Sequence, residues 1–319
     1  MRTRTIILTA SLTVATVATI VACTGDAATT DSSGSDGGQH ADGGTQGKVD
    51  GSSGGSVDGS MQSTDAGTMP DTGKDAGPQG PPLPSTLGGR LVLWLSADKD
   101  FATDGGFAVW KDQSGTGNDA LQSNGVAIPA LFDGGTGVGG KPALHFAGAQ
   151  YLQVTDNASL QWAASDFSLF MVERHTNDSS LYAILYTKWT DDGAQGYPGF
   201  FLWADYPNST GLVTRLDLAD TVYGPDGGND GVARVVGARK NGSDLQLYSG
   251  GKLVGEMADA SIANPTEFNA ATIPAYIGGR PQGFQMLQGD IAEVIGVKGT
   301  LTDKELADLQ AYLKAKYNL

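Results

Sequence analysis

Asp112-Gln113-Ser114-Gly115-Thr116-Gly117-Asn118-Asp119 sets several side-chain oxygens on a glycine-rich stretch. Oxygens from Asp112, Asn118 and Asp119 would suit a calcium ion. The same stretch also suits a loop in which Asp112 and Asn118 bond their own backbone as Asx-turns. Asp226-Gly227-Gly228-Asn229-Asp230-Gly231 is a second acidic loop open to both readings. Sugars are gripped by aromatic faces beside hydrogen-bonding groups, a mixture found from Trp189 to Pro198, in Asp205-Tyr206-Pro207-Asn208, and at Tyr223. Trp189, Asp205, Tyr206 and Tyr223 are therefore the expected ligand-binding residues, against a plainer reading as aromatics packed at a rim.

Catalysis finds little support. The five glutamates are 173, 256, 267, 293 and 305. Asp290 and Glu293 are three apart, which on a regular strand turns them to opposite faces and makes them poor partners. His40, His145 and His175 are too scattered for a metal set, and His145 lies within an apolar strand pattern. No Gly-x-Ser-x-Gly elbow occurs in residues 87–319. The chain reads as non-catalytic.

Cys23, the only cysteine, follows Ile20-Val21-Ala22 at the end of a moderately apolar run, with Arg2 and Arg4 ahead of it. This is the layout of a secretory signal, and its last four residues resemble the bacterial lipobox. Residues 1–22 are expected to be a lipoprotein signal peptide and Cys23 the lipid-bearing terminus. Several acyl chains at about 0.8 kcal/mol per buried CH₂ then hold the chain to the membrane. Thr24, where an Asp would favour inner-membrane retention, leans the expected location towards the outer membrane or cell surface.

Residues 23–86 are rich in Gly, Ser, Thr, Asp and Pro, with nine aspartates against Lys48 and Lys74 and no aromatic residue. Such a segment buries too little apolar surface to offset the entropy of ordering, so it is expected to be a disordered tether. As a flexible coil it would reach about 45 Å. Of the whole-chain charge of −15, the leader contributes two positive charges and the tether seven negative, leaving ten negative charges on residues 87–319. That balance repels phosphates and excludes a nucleic-acid partner.

All five tryptophans lie in residues 87–319. Short apolar or alternating runs separated by glycine-rich turns predict strands at 91–95, 143–146, 151–154, 167–173, 181–186, 199–203 and 212–216. Further strands are expected at 233–238, 245–248, 252–254, 273–277 and 291–297, with a hairpin through Ser249-Gly250-Gly251. Thr302-Asp303-Lys304-Glu305 is a capping-box pattern, and Leu306, Leu309 and Leu313 then recur at helical spacing. A C-terminal helix with its leucine face on the sheets is expected.

Trp94-Leu95-Ser96-Ala97-Asp98, Val109-Trp110-Lys111-Asp112-Gln113-Ser114-Gly115, Pro142-Ala143-Leu144-His145-Phe146 and Gly289-Asp290-Ile291-Ala292-Glu293-Val294-Ile295 resemble the laminin-G-like, concanavalin A-like jelly-roll domains of bacterial surface proteins. The resemblance spans most of residues 88–319 and departs at Ser249-Gly250-Gly251, where the family usually has Asn-Gly or Asp-Gly. It implies an all-β, two-sheet antiparallel sandwich with loops available for ligands. Laminarinase-type enzymes on this sandwich carry Glu-x-Asp-x-x-Glu on one strand, a pattern absent here. The expected function is a non-catalytic carbohydrate-binding or adhesive domain on an envelope lipoprotein, with calcium as a candidate cofactor. Its partner would be a carbohydrate or another surface macromolecule. The alternatives are a divergent polysaccharide hydrolase or lyase and a passive structural or protein-interaction module, because this fold hosts all three.

Overall fold

The computed structural model describes residues 83–319 except 163–164, 177–182, 190–198, 206–212, 217–219, 226–227, 264–272, 282 and 284; Asp205 is described by its backbone alone. The expected signal peptide, Cys23, the expected tether through residue 82, Tyr206 and parts of the two loops flanking Trp189 and Gly228 therefore lie outside the described residues.

Seventeen strands are described: β1 (Leu91–Ser96), β2 (Phe101–Asp104), β3 (Phe107–Trp110), β4 (Ala120–Gln122), β5 (Ala130–Phe132), β6 (Ala143–Ala147), β7 (Leu152–Val154), β8 (Phe167–His175) and β9 (Ala183–Trp189). They continue as β10 (Gly199–Asp205), β11 (Val213–Leu216), β12 (Asp220–Tyr223), β13 (Arg234–Asn241), β14 (Asp244–Ser249), β15 (Lys252–Ala258), β16 (Ala275–Ile277) and β17 (Gln288–Lys298). Helix α1 (Ala260–Ala263) is a single turn, and α2 (Asp303–Tyr317) ends the chain but for two residues. Ahead of β1, Pro84–Arg90 forms 3-10 turns with Pro84 buried.

The strands form two antiparallel sheets. One has the order β15-β14-β13-β8-β17-β6-β5, with β1 also on β17; the other runs β12-β11-β10-β9-β16-β7-β4-β3-β2. The long β17 has β8 along one side, while β6 pairs its first residues (288–291) and β1 its later ones (293–297) on the other. At that changeover, Ile291 faces Glu173 and Glu293 faces Val172, so Ala292 is an extra residue in a β-bulge.

Between the sheets, Leu93, Phe146, Leu169, Met171 and Val294 of the eight-stranded sheet meet Trp110, Val154, Leu185, Phe200 and Ile277 of the nine-stranded one. Trp162 stacks on Phe167 with ring centroids 4.9 Å apart, and Phe167 meets Phe200 edge-on at 4.8 Å. The opposite face of the eight-stranded sheet is covered by α2, whose Leu306, Leu309, Tyr312, Leu313 and Tyr317 pack on Trp94, Phe170, Val172 and Ile295. This double cover explains why β8 and β17 read as near-continuous apolar runs and not as alternating ones. The fold is the expected all-β jelly-roll sandwich closed by a C-terminal helix.

The helix begins as its sequence requires: Thr302 accepts from the Glu305 amide, and Glu305 reaches back to the Thr302 amide. The β14–β15 hairpin turns through Gly250 and Gly251 at φ 58° and 75°, which glycine adopts without steric cost. Five strands were not anticipated: β2, β3, β4, β5 and β12. They have three or four residues each, and four of them include positions exposed to solvent, so their apolar patterns are too short to stand out.

Candidate functional site

Four neighbouring strands of the eight-stranded sheet, β5, β6, β17 and β8, carry a polar cluster on the face that α2 covers elsewhere. Asp290 pairs across the sheet with His145 on one side and Arg174 on the other. Alternation along β6 sends Leu144 and Phe146 into the core and so turns His145 outwards. Asp290 Oδ1 meets His145 Nδ1 at 2.8 Å, and Arg174 donates to Oδ2 from Nε at 2.7 Å and Nη2 at 2.5 Å. Arg174 Nη2 also donates to the Thr136 carbonyl at 3.1 Å. Phe132 stacks on the imidazole, with centroids 4.2 Å apart and planes 8° from parallel.

These side chains border a solvent-open cleft of about 420 Å³ that Thr176 and Gln288 also line. Asp290 is only 5% exposed, whereas His145 and Arg174 are exposed by 33% and 32%. The carboxylate thus lies behind, and the imidazole and guanidinium lie in front. Because Nδ1 faces a carboxylate, that nitrogen carries the proton of the neutral ring, and Nε2 is left as an acceptor.

The bulge in β17 corrects one expectation. Asp290 and Glu293 share the helix-facing side, because the extra residue Ala292 restores the face that three-residue spacing would reverse. They do not act together, since each has its own cation. Buried Glu293 accepts from Trp94 Nε1 at 2.6 Å, Tyr312 Oη at 3.0 Å, Tyr317 Oη at 2.8 Å and Lys316 Nζ at 2.8 Å. Lys316 also reaches Ser96 Oγ at 2.6 Å and Asp98 at 3.0 Å. Burial works against the Asp98 carboxylate, but hydrogen bonds from Ser96 and Lys316 outweigh it and hold its pKa below the usual range. Burial, followed by the charge of Glu293, pushes the Tyr312 and Tyr317 phenols above theirs. The group fastens α2 to the sheet.

Of the residues expected to bind ligand, Trp189 ends β9 on the outer face of the nine-stranded sheet and is 8% exposed. Trp203 and Phe201 meet its ring edge-on at 5.6 and 6.1 Å, and the Arg280 guanidinium sits 4.7 Å over it. The ring is a packed residue in this geometry and offers no open platform. Register sets Trp203 opposite Val213, and Val213 opposite Tyr223, so Tyr223 shares that face at the sheet edge and is half-exposed. Asp205 closes β10 opposite Ala183.

The Asp112 loop is closed by its own donors. Asp112 Oδ1 accepts from the amides of Trp94 and Ser114, both at 2.9 Å. Its Oδ2 accepts from Ser114 Oγ at 2.7 Å, Thr116 Oγ1 at 3.0 Å and the Asn118 amide at 3.0 Å. Asp119 takes the Asp112 amide at 2.9 Å and Lys111 Nζ at 2.6 Å. Within this set the oxygen left over is Asn118 Oδ1, which is buried. One amide oxygen does not make a calcium site, which takes six to eight oxygens. The residues present suit a loop that ties Trp94 and Val92 to β3 and do not fit a cation. Among the described residues, no three carboxylate, imidazole or thiol groups stand close enough together to hold a metal ion.

The cleft was not among the expected sites. Its signals were a histidine at the outward position of an apolar strand and two charges, Arg174 and Asp290, at the ends of others. Charges placed within central strands call for partners, but the pairing that joins them is set by register.

No family model and no curated protein sequence matches the chain. Among solved structures, the binding domain of Paraclostridial Mosquitocidal Protein 1 aligns at TM-score 0.50 and 15% identity, over 70% of this chain and 52% of that one. The chain thus spans about half of that relative's length. Domain 4 of a GH43 extracellular arabinanase from Geobacillus stearothermophilus, in complex with arabinotriose, aligns at TM-score 0.48 and 15% identity, over 69% and 98%. The Ruminococcus gnavus IT-sialidase CBM40 aligns at 0.41 and 16%, over 53% and 96%. At 15% identity the likeness to the first of these is one of fold alone.

Proposed function

We propose that this chain is a cell-envelope lipoprotein that displays a non-catalytic, carbohydrate-binding sandwich. The observation that carries the binding reading is the open cleft at His145, where an aromatic wall adjoins solvent-facing hydrogen-bonding groups. That combination suits a sugar, whose C–H face packs on a ring while its hydroxyls take directed bonds. Hydrolysis is not supported by the cleft's carboxylate. A retaining glycosidase needs two carboxyl groups about 5–5.5 Å apart, and Asp290 is committed to Arg174 and His145.

The envelope reading rests on Arg2, Arg4 and the apolar run into Ala22-Cys23, and the spacer reading on the acidic tether after it. Acylated Cys23 would hold the chain at the outer membrane or cell surface. Metabolic labelling with a fatty acid tests the anchor: label on the intact chain and none on Cys23→Ser supports it, and equal labelling contradicts it.

The binding reading is tested by screening the full chain against neutral and acidic polysaccharides, with calcium and again with EGTA. Saturable binding to a glycan supports it. Loss in EGTA would show a calcium requirement, and Asp112→Ala would then test whether the loop of Asp112, Asn118 and Asp119 supplies it. No binding by a folded chain to any glycan would overturn the reading in favour of a structural or protein-interaction module.

A further inference from the structure

The cleft at His145 presents two polar groups of opposite hydrogen-bonding sense. Arg174 spends Nε and Nη2 on Asp290 and Thr136, and among the described residues its Nη1 takes no hydrogen bond. His145 spends Nδ1 on Asp290, and among the described residues its Nε2 likewise takes none. Both side chains are about one-third exposed beside the 420 Å³ cleft. One donor and one acceptor on adjacent strands match two neighbouring hydroxyls of a sugar ring. The Arg174–Asp290 pair is neutral as a unit, so it offers little net charge to an acid. A sugar carboxylate, which only accepts, would also confront the imidazole lone pair.

We propose that this cleft takes a neutral saccharide, with Arg174 Nη1 donating to one hydroxyl and His145 Nε2 accepting from its neighbour. Asp290 is the positioning residue: by holding the proton on Nδ1 it keeps Nε2 of the neutral ring an acceptor, which disfavours acidic sugars. This rests on the carbohydrate reading of the same site. The groups that face His145 are Asp290 from β17 and the uncharged Phe132 ring from β5, with Arg174 of β8 reaching it through Asp290. Protonation of the ring turns Nε2 into a donor. A hydroxyl accepts from that donor as readily as it gave to the acceptor, whereas a carboxylate gains a partner. Neutral sugars should therefore bind with little pH dependence, and uronates should bind better once the imidazole is protonated.

The test is calorimetric titration of the full chain with neutral oligosaccharides and with uronate oligosaccharides of the same linkage, from about pH 7.5 to about pH 5. Near-UV circular dichroism checks that each variant is folded. Arg174→Ala and His145→Ala should each weaken neutral binding about tenfold, the scale of a hydrogen bond to a charged or buried group. Uronate binding should rise several-fold on acidification in the wild type and stay flat in His145→Gln. In Asp290→Asn, where the tautomer is no longer fixed, the preference for neutral sugars should shrink. Stronger uronate than neutral binding at pH 7.5 would overturn the proposed selectivity. Neutral binding unchanged in both alanine variants would overturn the cleft while leaving the carbohydrate reading intact. Absence of all saccharide binding would remove both.

Discussion

Glu293 shows how a single buried charge is made tolerable. Its carboxylate is fully buried, yet it receives an indole N–H, two phenol hydroxyls and an ammonium. Removing one partner of such a pair leaves the other charge buried without compensation, at a cost of about 3–5 kcal/mol. Glu293→Ala leaves the Trp94 indole and two phenol hydroxyls without their acceptor, with Asp98 still paired to Lys316, so it should lose about 3 kcal/mol, the low end of that scale, in denaturant titration. A loss below about 1 kcal/mol, the range of exposed ion pairs, would contradict the account. Little of this was legible in the sequence. Glu293 could be seen as a charge within an apolar strand, but the partners Trp94, Tyr312 and Lys316 come from β1 and α2 and meet it only in the folded chain.

At the scale of the element, α2 was the most legible part, the short strands β2, β3, β4, β5 and β12 were the least, and β17 was legible as a strand but not in its bulge. The capping box and the leucine spacing are local, so sequence alone places the helix and its buried face. Arg90, from the turn before β1, adds what spacing could not show: its guanidinium grips Glu305 and donates to the Thr300 carbonyl at 2.9 Å. The Arg90 hydrogen bond, then that of the Thr302 amide, pushes the Glu305 carboxyl down to about 2. A lowered folded-state value means that the contribution is complete above the ordinary carboxyl value of 4.5 and is lost as pH falls towards 2. Between those values the wild type should lose thermal stability more steeply than Glu305→Gln, as followed by circular dichroism melts. Identical slopes would contradict the assignment. In β17 the bulge at Ala292 is invisible to alternation, and it reversed the expected relation of Asp290 to Glu293.

For the whole molecule, sandwich class, glycine-rich turns and the closing helix follow from apolar periodicity together with the quoted family resemblance. The candidate site does not follow, because sugar-like aromatic sequence drew attention to Trp189, whose ring is packed by Phe201, Trp203 and Arg280. An aromatic residue beside polar ones reads the same in sequence whether its ring is buried or open. The cleft instead joins Phe132, His145, Arg174 and Asp290, which are distant in sequence and neighbours only through the strand order β5-β6-β17-β8. The most direct test is carbethoxylation of His145 by diethyl pyrocarbonate, read by peptide mass spectrometry with and without a saturating neutral polysaccharide. His145 is one-third exposed and its Nδ1 is engaged, so the reagent should attack Nε2. The polysaccharide should protect His145 while leaving His40 as reactive as before. Undiminished modification of His145 under conditions where the polysaccharide is demonstrably bound would place the ligand elsewhere on the sandwich.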